Sequence, residues 1–134
     1  MKILTTAIIA LCISAAFISC KKDHDQSTNS NPAIQGIYSG KFGYGNDTPA
    51  EEFKFAIKAN NVFQELSVNN GNPTGQGTYT LNGNSFTATY NMLFSPFNQY
   101  SVSGTFNPST GKITGTWGYD NNPSDGGKID MTKQ

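Results

Sequence analysis

The side chains in this 134-residue chain with strong acid–base or metal-binding chemistry are nine acids, nine lysines, one histidine and two cysteines. Five of the acids fall in two short stretches: Asp47, Glu51 and Glu52 in one, Asp120 and Asp125 in the other. A pair of carboxyls held at fixed separation can hydrolyse a glycosidic bond. The oxygen-rich run Asp120-Asn121-Asn122 with Asp125 can offer ligands to calcium, but it lacks the EF-hand spacing and its closing glutamate. The single histidine, His24, sits in a polar stretch with nothing to hold it in catalytic geometry. Histidine triads, His–metal sites and His acid–base pairs are thereby excluded. There is no Gly-Lys-Ser/Thr phosphate loop and no dinucleotide fingerprint. The acids read best as solvated loop residues, and the expectation is a protein that is not an enzyme and holds no cofactor or metal.

The elements that must position any site are strands. After Ala33 the chain is dominated by Gly, Asn, Thr, Ser, Tyr and Phe, with no sustained helical period. Short runs alternate apolar with polar residues between Asn/Gly/Pro punctuation, as antiparallel strands do. Eight are expected, over 35–44, 52–59, 62–68, 76–81, 85–92, 99–106, 112–119 and 128–132. The second has the cleanest polarity, with Phe53, Phe55, Ile57 and Ala59 against Glu52, Lys54, Ala56 and Lys58. In the third, Val62, Leu66 and Val68 are expected to face inward. One-faced alternation in every strand implies one shared interior. Short connections favour neighbour-to-neighbour pairing. The fold class is therefore all-β, an eight-stranded antiparallel up-and-down barrel.

Connections divide by length. Asn60-Asn61, Asn82-Gly83-Asn84 and 107–111 read as tight turns rich in residues that tolerate positive φ. The other four, 45–51, 69–75, 93–98 and 120–127, are longer. In a meander, alternate connections lie at opposite ends, so the barrel should have a loop-fringed mouth and a closed base. The five loop acids would all sit at that mouth. Counting inward residues along each strand puts Tyr38, Ile57, Val62, Leu81, Phe86, Phe106, Ile113 and Met131 at the base. The mouth half receives Tyr44, Phe53, Tyr79, Tyr90, Tyr100, Trp117 and Tyr119. Rings with one polar atom suit a partly wet ligand site. An eight-stranded barrel is also narrow enough for side chains to fill it completely. Leu93-Phe94-Ser95-Pro96-Phe97 is unusually apolar for a loop and would lie over the mouth, as a lid, a plug or a patch for a protein partner.

The first twenty residues carry a separate message. Lys2 precedes an apolar run from Ile3 to Ile18, followed by Ser19 and Cys20. A charged start, an apolar centre and a small residue at the cut make a secretory signal. The run is about sixteen residues, short of the roughly 20 that a spanning helix needs. Ile18-Ser19-Cys20 resembles the lipobox of bacterial lipoproteins. That resemblance implies cleavage before Cys20, acylation of Cys20, and a stable membrane anchor, since more than one acyl chain holds firmly. It also implies that Cys12 leaves with the signal and Cys20 is consumed by lipid, so no thiol remains for a disulfide, a metal or a nucleophile. Residues 21–33 are polar and cannot offset their ordering entropy, so 20–33 read as the lipidated cysteine and a flexible tether. Lys21-Lys22-Asp23-His24-Asp25 resembles the lysine-then-acid export tags of surface-displayed Gram-negative lipoproteins; a solvated linker cluster is the other reading. With Lys2 gone, eight lysines face nine acids and there is no arginine. That balance argues against nucleic acid as a partner.

The barrel expected over 34–134 resembles the calycin group, the lipocalins and their relatives. Gly36-Ile37-Tyr38 takes the place of the lipocalin Gly-x-Trp on the first strand, with tyrosine for tryptophan. Thr114-Gly115-Thr116-Trp117 is similar to the Gly-Thr-Trp phrases of avidin-type barrels. The sequence thus reads as three parts: signal peptide 1–19, lipidated tether 20–33, and barrel 34–134. The expected role is a lipid-anchored binding module of the Gram-negative cell envelope, in the outer membrane and open to surface display. It would capture a small apolar or aromatic ligand through Trp117, Tyr119, Tyr44, Tyr90 and Tyr100, with Phe94 and Phe97 closing over it. The alternative is a plugged barrel serving as a protein-interaction or enzyme-inhibitor module through its mouth loops.

Overall fold

The computed structural model describes residue 31 and residues 33–134. The signal segment 1–19, Cys20 and most of the tether lie outside the described residues. Eight strands follow in order: β1 (Gly36–Phe42), β2 (Glu51–Ile57), β3 (Val62–Leu66), β4 (Pro73–Asn82), β5 (Ser85–Met92), β6 (Gln99–Asn107), β7 (Lys112–Tyr119) and β8 (Gly127–Lys133). Each pairs antiparallel with its sequence neighbours, and β8 returns to β1 to close the barrel. Among the described residues there is no helix. Closure removes the two edges that an open sheet would leave unpaired.

The alternation that builds the strands also sorts their faces. Threonines meet across the outer surface, as in Thr78↔Thr89, Thr80↔Thr87 and Thr105↔Thr114. The Thr80 and Thr87 hydroxyls lie 2.6 Å apart, a cross-strand pair of the kind that stabilises sheets. Inside, Tyr38, Ile57, Phe63, Phe86, Phe106, Ile113 and Met131 are fully buried at the base. Ile34, just ahead of β1, is fully buried too and joins this core. It is fixed there by its own backbone: its carbonyl accepts the Tyr38 hydroxyl at 2.8 Å, and its N–H donates to the Asn31 carbonyl at 3.2 Å. Lys133 Nζ donates to the Ala33 carbonyl at 3.1 Å, so the last residues of the expected tether touch the barrel.

Tight turns at 58–61, 83–84 and 108–111 gather at the base, and the four longer connections at the other end. One expectation fails in β3. Its inward residues are Phe63 and Glu65; Val62 and Leu66 pair with the outward positions Thr78 and Lys54, Leu66 being buried there all the same, and Val68 lies past the strand, exposed. The cause is a single residue of loop length. A two-residue Asn60-Asn61 turn would place Ile57 opposite Gln64. Instead Lys58 N–H donates to the Val62 carbonyl at 2.9 Å, Ala59 joins the turn, and Ile57 pairs with Phe63. Asn60 and Asn61 take φ of 58° and 60°, which asparagine tolerates better than most residues. A one-residue slip exchanges the two faces of a strand. Ala59 is accordingly an exposed turn residue and not an inward one.

Candidate functional site

The mouth half of the barrel is hollow. A cavity of about 170 Å³ opens among the long loops. Ligand pockets for drug-sized molecules run to about 300 Å³ and more, whereas an apolar cavity of about 150 Å³ is known to hold benzene. The space therefore suits one small ring or a compact branched group.

Its walls come from seven strands and one loop. Phe42 closes β1, and Phe53 and Phe55 come from β2. Tyr90 and Met92 come from β5, Tyr100 and Val102 from β6, Trp117 and Tyr119 from β7, and Ile129 from β8. β3 contributes Glu65, and Tyr44 leans in from the β1–β2 loop. The rings contact one another around the wall. Trp117 meets Phe42 at 5.4 Å, Tyr44 at 5.5 Å and Tyr119 at 5.5 Å between centroids, all edge to face. Such offset contacts are the favoured arrangement of aromatic pairs. The Trp117 indole is further held by Nε1–H donating to the Gly43 carbonyl at 3.0 Å, which ties β7 to the β1–β2 loop. Tyr90 fits because glycines on β4 leave room for it: Gly77 is its cross-strand partner, and a Cβ on Gly75, two residues along, would meet the Tyr90 ring at 2.8 Å.

Five of the seven residues expected to bind a ligand line this one cavity: Trp117, Tyr119, Tyr44, Tyr90 and Tyr100. Tyr44 and Tyr119 form the exposed rim, 55 % and 44 % accessible, while Tyr90 is buried in the wall. Phe94 and Phe97 do not line the cavity. They project into solvent, 65 % and 71 % accessible, so in this structure they form no lid. Nothing in the strand pattern dictates where loop side chains point. Tyr79, expected in the mouth half, lies instead in the closed core, stacked on Phe86 at 6.0 Å.

The mouth acids stay outside the cavity. Asp47, Glu51, Glu52, Asp120 and Asp125 are exposed. Asp125 is engaged in its own loop, its Oδ1 accepting the Tyr119 N–H at 2.8 Å and its Oδ2 the Asn122 amide at 3.3 Å. Among the described residues no three His, Cys, Asp or Glu gather as metal ligands.

The acid that does enter the cavity is Glu65, which sequence reasoning missed because it follows from the β3 register. Burial lifts its carboxyl above the ordinary range, and the neighbouring Tyr90 hydroxyl pulls it partly back. Burial also raises the Tyr90 phenol well above its usual value, and the Glu65 charge reinforces the effect. The folded state therefore holds the Glu65 proton more tightly than the unfolded chain does. The stability it contributes is whole below its ordinary pKa of 4.5 and is lost as pH rises through the higher folded-state value. Relative to Glu65→Gln, the native chain is expected to lose stability as pH rises from 4.5 through the raised folded-state value, and to level off above it. Denaturation midpoints of both proteins at about pH 4 and about pH 7.5 check this. A gap that stays constant with pH would refute it.

Fold and site together define a closed up-and-down β-barrel with a sealed base and an aromatic pocket at its mouth. No family model, curated protein or solved structure matches the chain.

Proposed function

We propose that this protein is a binding module, anchored in the Gram-negative cell envelope by lipid on Cys20, that captures a small apolar or aromatic ligand at the mouth of its barrel. The observation that carries the reading is the gathering of Trp117, Tyr119, Tyr44, Tyr90 and Tyr100 around one cavity at the loop end. Trp117, the only tryptophan, lies in that wall and reports on it directly. The test is a titration of small aromatic and aliphatic molecules followed by Trp117 emission. A ligand that shifts the emission should bind on the order of tenfold more weakly, by calorimetry, to Trp117→Ala. Its affinity should be unchanged in Leu81→Ala at the base. An emission that fails to respond across a broad panel would sink the reading.

The anchor is checked separately. Cys20→Ser is expected to leave an unlipidated precursor, and mass spectrometry of the membrane fraction reads the difference. An unmodified Cys20 on the native mature chain would remove the anchor from the proposal.

A second reading is supported by the loop 93–98. Leu93, Phe94 and Phe97 are all exposed, in the loop that follows Met92 of the pocket wall. A protein-interaction or inhibitor module would use that cluster and the neighbouring loops as its contact surface.

A further inference from the structure

The wall of the mouth cavity is an unbroken aromatic circuit. Phe42 touches Phe53 at 6.3 Å between centroids, Phe53 touches Phe55 at 4.7 Å, and Phe55 touches Tyr90 at 5.6 Å. Tyr90 touches Tyr100 at 5.7 Å, Tyr100 touches Trp117 at 6.2 Å, and Trp117 returns to Phe42 at 5.4 Å. Among the described residues, one charged side chain lines the cavity inside this circuit, and it is an acid, Glu65. No lysine lines the cavity. The one ion pair among the described residues, Lys112 with Asp130 at 2.8 Å, involves neither Glu65 nor the cavity.

A half-buried carboxylate with no cation beside it in a largely apolar wall is costly, because a charge drawn out of water needs either an opposite charge or neutralisation. Aromatic faces carry negative quadrupoles and attract cations, tryptophan most strongly, and desolvation strengthens the attraction. Both features ask for the same guest. An inorganic cation would want many oxygens, and this wall offers few. An anion would meet the π-faces and Glu65 as repulsion. A neutral hydrocarbon would leave the Glu65 carboxylate without a counter-charge. A compact organic cation with a methylated surface satisfies both ring faces and carboxyl, and its size matches about 170 Å³.

We propose that the mouth pocket recognises small alkylated ammonium groups, with the six-ring circuit contacting the methyl surface and Glu65 supplying the counter-charge. This rests on the reading of the cavity as a ligand site and narrows its ligand class.

The test uses two isosteres that differ by one atom, choline and 3,3-dimethyl-1-butanol, with a quaternary nitrogen in one and a carbon in the other. Each is titrated into the lipid-free mature chain while Trp117 emission is followed. Choline is expected to bind at least about tenfold more tightly than its neutral isostere. Glu65→Gln should reduce that preference to about threefold or less, and Glu65→Asp should retain more of it. Circular dichroism confirms that each variant is folded. Equal affinities in the native protein, or tighter binding of the alcohol, would overturn the cation proposal and leave ligand capture standing. An undiminished preference in folded Glu65→Gln would overturn the role of Glu65 and with it the proposal. No emission change with either isostere, where other small aromatics do respond, would overturn the cation class alone. Silence toward every molecule would overturn the pocket reading as well.

Discussion

Phe63→Ala is expected to destabilise the barrel by about 3–5 kcal/mol, while Val62→Ala beside it costs under about 1 kcal/mol. Phe63 is fully buried, against Phe55 at 4.6 Å, Tyr90 at 5.5 Å and Phe86 at 5.9 Å. Truncation there removes a ring and leaves a void that the three neighbouring rings, one on β2 and two on β5, cannot close. Val62 is half-exposed on the outer face and leaves no void. Urea midpoints of the two variants give the contrast. Similar losses, or a larger one at Val62, would mean that β3 presents its other face. Glu65 would then leave the cavity and the ligand class inferred above would fall with it.

Gly115→Ala is expected to cost about 3 kcal/mol, with Thr114→Ala within about 0.5 kcal/mol as its control. Gly104 and Gly115 are cross-strand partners on β6 and β7. A Cβ on Gly115 would fall inside the van der Waals envelope of the Ser103 carbonyl and the Gly104 Cα. Those are main-chain atoms of β6, so relief requires a strand to move and not a side chain to rotate. Glycines inside strands mark such close approaches and barrel bends. The melting temperature, followed by circular dichroism, should fall by on the order of 15 °C for Gly115→Ala. A shift no larger than that of Thr114→Ala would show that the β6–β7 approach is loose.

The strand count, the meander, the two ends and most inward faces were legible because they rest on a period of two with polar punctuation. Strand β2 is the plainest case: Phe53, Phe55 and Ile57 are buried as the alternation requires. Strand β3 defeated the same reasoning because apolar residues occur on both of its faces. Val62 and Leu66 outnumbered Phe63, and only the pairing of Ile57 with Phe63 across a three-residue loop decides between them. Glu65 was hidden by that choice; the signal that could have found it was the length of the turn, not the composition of the strand. Tyr79 was misplaced for another reason. Barrel strands tilt and stagger, so position along a strand is not height in the barrel. The cavity itself was legible only as a tendency, Tyr and Trp toward the loops, because whether rings meet or leave a space depends on their packing. The outward turn of Phe94 and Phe97 had no sequence signal at all.

Closure of β1 onto β8 gives the barrel a direction. The chain enters through Ile34 at the sealed base, and β8 ends there too, with Gln134 N–H donating to the Ile37 carbonyl at 2.9 Å. Both ends of the domain therefore leave on the side opposite the pocket. A molecule held by whatever precedes residue 31 would present its opening away from the point of attachment, like a cup standing on its foot. Fusion partners or surface tethers joined at either end would leave the opening unobstructed, and oriented immobilisation could be used without screening for blocked sites.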